Sequence, residues 1–152
     1  MITHRYINPT IEPDFTKAVG DFVSSAIFGQ AGRIENYCAM AVVDGEKIIA
    51  GVLYNNWHPD TGVIEMHAAS VDKRWLNRPV LKAMFALPFD QLGCQLCVLR
   101  VSEHNKPMLR IAEAYGFKAY HIPRLRGRDE TEVILTLTDD DWRASRFHKE
   151  AA

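Results

Sequence analysis

Two side chains able to take a proton, Glu65 and His67, stand two residues apart in the segment VIEMHAASV. In an extended strand alternate side chains share a face, so Glu65, His67 and Ala69 point one way while Ile64, Met66 and Ala68 point the other. A carboxylate among apolar neighbours is suited to proton transfer. The imidazole, which titrates near neutrality, could serve in its place. The same two residues read equally well as polar groups on the solvated side of a half-exposed strand.

Directly downstream, VDKRWLNRPVLKAM runs from a strand end into an amphipathic helix. Chains making that move often carry glycines there, because a tightly turned backbone at a helix N-terminus can offer its N–H groups to a phosphate. Here Asn77 and Pro79 occupy the turn. Asn can enter positive φ at modest cost, but Pro has no N–H to give. Lys73, Arg74 and Arg78 gather around the same turn, and a guanidinium holds phosphate oxygens through paired N–H groups. They read otherwise as solvated surface charges.

Cys94 and Cys97 form a C-x-x-C, a spacing that suggests zinc or redox chemistry. They sit in a strand-like run, CQLCVLRV, where residues three apart point to opposite faces. No second C-x-x-C or close His pair completes a metal site. The expectation is therefore buried thiols, with Cys38, acting as small hydrophobes, and no metal.

The elements that must position these groups follow from patterning. Residues 2–8 predict a short strand, and DFTKAVGDFVSSAIFG repeats apolar residues at helical spacing up to Gly29. NYCAMAVV and KIIAGVLYNNW, joined by DGE, predict a hairpin. VIEMHAASV adds a third antiparallel strand, and a helix is predicted over 79–90 with Pro79 in its first turn. CQLCVLRV is the next strand. NKPMLRIAEAYGF is a helix capped by Asn105 and stopped at Gly116. FKAYHIP and TEVILTLT flank the turn RLRGRDE as the last two strands. The order β-α-β-β-β-α-β-α-β-β predicts an α/β (α+β) fold, one mixed, mostly antiparallel sheet of about seven strands with helices on both faces.

A chain of 152 residues is long enough for one cored domain, expected over 1–152. With 24% charged residues and a formal charge of −1, nothing argues for nucleic acid or an anionic membrane as partner. No apolar run reaches the ~20 residues of a membrane span. The N-terminal stretch lacks the apolar core of a signal peptide, so a cytoplasmic protein is expected.

The segment VSEHNKPMLRIAEAYGF, with Asn105, Glu113, Gly116 and Phe117 at their spacing, resembles the GNAT superfamily of acetyl-CoA-dependent N-acetyltransferases. RGRDETEVILTLTDDDW resembles the end of the branch that acetylates protein N-termini, including those of ribosomal proteins. The similarity runs from about residue 38 to 142. It aligns Arg74, Asn77 and Pro79 with a phosphate-binding turn, here degenerate. It implies that Ala69, Val71, Arg74, Asn77, Arg78, Val80 and Asn105 contact acetyl-CoA, and that a backbone N–H near 69–71 meets the oxyanion. It further implies that Glu65 or His67 acts as base on a primary amine, small or carried by a protein.

The branch's usual acid and serine positions hold Ala112 and Met108, and the Tyr115 ring is expected to face the core. Tyr54, Trp57 and His58 are expected to line an acceptor groove, with Arg124, Arg126 and Arg128 on its rim. The resemblance admits a homodimer. A runner-up expectation is a catalytically degenerate binding or structural module of the same fold, of the kind associated with phage virions.

Overall fold

The computed structural model describes residues 1–145; the last seven residues of the expected domain lie outside them. Seven strands, β1 (Ile2–Ile7), β2 (Cys38–Asp44), β3 (Lys47–His58), β4 (Val63–Ser70), β5 (Leu96–Ser102), β6 (Lys118–Ile122) and β7 (Glu132–Thr138), form one sheet in the order β1-β2-β3-β4-β5-β7-β6. Every neighbouring pair is antiparallel except β4 and β5. A parallel pair needs a crossover connection, and the chain supplies one through α2 (Arg78–Ala86). This is the mixed sheet the patterning predicts.

Helix α1 (Pro13–Phe28) starts with Pro13 in its first turn and ends at Gly29, whose φ of 70° is the left-handed conformation of a C-cap. It covers one face of the sheet through Val19 and Val23, which pack with Ile7, Ala39, Ala41, Leu53 and Ala69. The approach is close at Gly51 in β3. A Cβ there would lie 2.7 Å from a Val19 methyl and 2.9 Å from a Val23 methyl. Any larger residue would lift α1 off the strands beside Glu65 and His67.

The other face carries α2, α3 (Lys106–Tyr115) and α4 (Asp139–Ala144) over a larger core that includes Met66, Trp75, Phe85 and Leu135. Phe85 stacks on Tyr115 at 4.8 Å, a geometry worth ~0.5–1.5 kcal/mol beyond burial. The helix predicted over 79–90 runs in register to Ala86 and continues as a π turn over Leu87–Gln91. Pro88 contributes no N–H, and the Leu92 N–H reaches back to the Leu87 carbonyl. Short helix α4 adds to the expected order. Thr138 caps it by accepting from the Asp141 N–H, and Asp139, Asp140 and Asp141 suit its positive end. Its buried Trp142 lies over Phe89 at 5.1 Å and donates to the Tyr115 hydroxyl.

Cys94 and Cys97 are free and buried, and burial raises both thiols above their ordinary range. Among the described residues no group of His, Cys, Asp and Glu could hold a metal ion, and no helix is long and apolar enough to cross a membrane.

Candidate functional site

Strands β4 and β5 pair only from Val63 with Leu96 to Met66 with Leu99. Beyond that vertex each strand continues, to Ser70 and Ser102 respectively, without its neighbour. The bonding on the far side of β4 shows which donors this leaves. The Val71 N–H donates to the Ile49 carbonyl across β3, and Ala69 pairs with Gly51 in the same ladder. Backbone groups alternate sides along a strand. The N–H groups of Ala68 and Ser70 therefore face the gap, whereas those of Ala69 and Val71 face β3.

The gap opens into a cleft of about 500 Å³ whose walls include Ala68, Ser70, Leu99, Val101, Asn105 and Met108. A second cleft of about 630 Å³ lies on the α1 side, bordered by Arg33, Glu35, Asn55, Glu65 and Glu132. His67, Ile27, Arg100 and Arg126 line both clefts. His67 thus stands where the two meet.

Glu65, His67 and Ala69 do share the α1 face of β4, as strand alternation requires. The face is not solvated there: the His67 side chain is 13% exposed and that of Glu65 21%. His67 Nε2 lies 2.9 Å from Asn55 Oδ1 and 3.8 Å from a Glu65 oxygen. The Asn55 amide is itself oriented, because its Nδ2 donates to the Glu35 carbonyl. With the amide turned this way its oxygen faces the imidazole, the arrangement that suits the tautomer with the hydrogen on Nε2 and the lone pair on Nδ1. Burial holds His67 below its ordinary range, with the Arg100 charge adding to that and Glu65 opposing it. Neutral imidazole is the favoured state at pH 7.

A buried carboxylate ties together the two arginines that line both clefts. Glu132, 4% exposed, accepts from Arg100 at 2.8 Å through one oxygen and from Arg126 at 3.2 Å through the other. Arg126 also pairs with Glu130 at 3.2 Å and lies over the Phe28 ring, tying the final hairpin to the end of α1. The residue pattern alone places Arg126 on a rim and singles out none of Asn55, Arg100 and Glu132. A signal for Asn55 was present: one strand ahead in a hairpin, it falls opposite Glu65.

The turn over residues 72–80 is arranged differently. Asp72 caps a short 3₁₀ turn, Lys73–Trp75, by accepting from the Arg74 N–H. The Arg74 guanidinium returns to Asp72 at 2.6 Å and reaches Asp44 at 3.0 Å. These contacts lower the Asp72 carboxyl to about 2, and Asp44 is lowered first by the N-terminal ammonium, 3.1 Å away, and then by Arg74. Asn77 does not take positive φ. At φ −94° it is the N-cap of α2, its side-chain oxygen accepting from the Val80 N–H. Arg78 is the exposed first residue of α2. Asn105 caps α3 by accepting from the Met108 N–H at 3.4 Å and also lines the 500 Å³ cleft.

Other expected residues fall elsewhere. Tyr54 is 1% exposed on the α2 side, donating to the Met84 carbonyl at 2.7 Å, so it cannot line an acceptor groove. Asn55 and Asn56, rather than Trp57 and His58, border the α1-side cleft. Tyr115 faces the core, and burial pushes its hydroxyl up to about 12.

The fold is that of the GNAT N-acetyltransferases. A GCN5-related N-acetyltransferase from Brucella melitensis superposes with a TM-score of 0.68 at 18% identity, over 99% of this chain and 80% of that one. Spermidine N-acetyltransferase from Vibrio cholerae, in complex with CoA and spermine, gives 0.68 at 13%, over 93% and 97%. Ribosomal-protein-S5-alanine acetyltransferase from Vibrio fischeri gives 0.67 at 15%, over 93% and 94%. No family model and no curated protein matches the sequence.

Proposed function

We propose that the chain transfers an acyl group, with acetyl as the reference donor, from coenzyme A to a primary amine in a ternary complex. The observation that carries this reading is the parted end of β4 and β5, where backbone donors face a cleft that meets a second cleft at His67. A thioester lying in the gap puts its carbonyl beside the Ala68 and Ser70 N–H groups, which stabilise negative charge developing on oxygen. An amine entering from the α1 side meets His67.

His67 Nδ1 takes the ammonium proton, directly or through water, and the freed lone pair attacks the thioester carbon. The C–N bond forms and the C–S bond breaks. The nitrogen loses its second proton, and the departing thiolate is protonated through water. Asn55 keeps the imidazole in the tautomer that leaves Nδ1 free, and Glu65 stabilises the imidazolium. Tyr115, buried and raised, is no acid for this step. Thiolates leave readily, with pKa values near 8.5 for an ordinary thiol. Around the acceptor cleft Arg33, Arg100 and Arg126 balance Glu35, Glu65 and Glu132. That balance offers no surplus negative charge to a polyamine and favours a singly charged amine, small or on a protein.

A second reading, a binding module without catalysis, is favoured by the engaged donors of the 72–80 turn. Calorimetric titration with acetyl-CoA, followed by an amine-acceptor screen, separates the two. Micromolar binding and thiol release that depends on an added amine support transfer. Absence of binding up to millimolar donor overturns it.

A further inference from the structure

Beneath the vertex of the parted strands lies a third, smaller cavity of about 40 Å³ between the sheet, α2 and α3. Met66 and Leu99, the last paired residues of β4 and β5, line both this cavity and the 500 Å³ cleft, as do Ala68, Trp75, Met108 and Ile111. Its far walls are Leu81, Met84 and Ala112. No polar group faces it, so it has nothing to hold water by and stays dry. By the same measure a single water needs about 10–15 Å³, so the space matches two or three aliphatic carbons. Three of its wall residues, Met66, Met84 and Met108, are unbranched and can shift to admit a chain.

We propose that this cavity is an acyl-chain pocket and that the preferred donor carries three or four acyl carbons, propionyl or butyryl, rather than two. The inference rests on the acyl-transfer reading and specifies its donor. A thioester carbonyl held at the Ala68 and Ser70 N–H groups sits above the vertex. The carbons beyond the carbonyl then turn down between Met66 and Leu99 into the dry space, away from His67 and the incoming amine. The bond exchange is the same for every chain length: C–S breaks, C–N forms, and only the size of the transferred group changes. Chains much longer than butyryl outrun the cavity at Ala112 on α3.

The test is a donor series of acetyl-, propionyl-, butyryl- and octanoyl-CoA, read by calorimetric affinity and by amine-dependent thiol release. Each buried methylene is worth about fourfold, so kcat/KM should rise about tenfold or more from acetyl to butyryl and fall at octanoyl. Ala112→Leu, which fills the cavity from α3 without entering the larger cleft, should bring the butyryl-to-acetyl ratio of kcat/KM down to about one or below. Leu81→Phe fills it from α2 and provides the same comparison if the first variant does not fold by circular dichroism. A flat series, a preference for acetyl, or a butyryl preference that survives both fillings overturns the pocket while leaving acyl transfer standing. Failure of CoA and every acyl-CoA to bind overturns both.

Discussion

The gap between β4 and β5 and the turn over residues 72–80 lie at opposite ends of the path a CoA thioester would follow, and they are built in opposite ways. At the gap the backbone leaves N–H groups without strand partners, and a neutral imidazole waits beside them. At the turn several donors that could meet a phosphate are engaged: the Val80 N–H by Asn77 and the Arg74 guanidinium by Asp72 and Asp44, while Pro79 has none. The gap is open, while the turn is largely closed upon itself. Affinity would then come from the acyl and pantetheine portions more than from the pyrophosphate.

The sharpest way to break that contrast is at His67. His67→Ala should lower kcat by about 10²–10⁴, the usual range for a lost general base, with donor affinity nearly unchanged by calorimetry. Equal losses in affinity would mean the residue holds the donor instead. Glu132→Gln loosens the gap itself, since it weakens the tie between Arg100 and Arg126. With both arginines partly exposed, the expected cost is about 1–3 kcal/mol of folding stability, measured by denaturant titration.

At the closed end, Asp72→Asn removes a carboxylate from the turn and releases part of the Arg74 guanidinium. CoA should bind about three- to tenfold more tightly, an effect that salt should screen. No change would mean the turn does not meet the phosphates. The finest distinction is in pH. The proposed mechanism needs neutral His67, and burial lowers its pKa, so kcat/KM should fall on acidification with a midpoint below the ordinary 6.5. Asn55→Asp places a negative charge at Nε2, favours imidazolium, and should shift that midpoint upward.

Much of the scaffold is legible in the residue pattern because it is set by local rules. Gly29 and Gly116 end helices by adopting positive φ, Asn105 caps α3, and the DGE turn joins β2 to β3, whereas the capping role of Asn77 shows only in the fold. The alternation that puts Glu65 and His67 on one face is equally local. What the pattern does not carry is partnership across distance. Nothing near Val71 tells that its N–H is taken by Ile49. Nothing near Arg74 tells that Asp44, thirty residues earlier, shares its guanidinium. Tyr54 alternates in a strand like its neighbours, and only the packing of α2 turns it into a core residue bonded to Met84.

By itself, then, the sequence determined the seven strands, the three longer helices, their order and the face on which the candidate base stands, because helix caps, turns and strand alternation depend on residues a few positions apart. The tertiary structure alone decided where β4 and β5 part, which amides face the gap, which imidazole nitrogen keeps its lone pair and which charges are already matched. Each of those depends on what the rest of the chain brings within about 3 Å, and a hydrogen bond is settled by that geometry rather than by residue type.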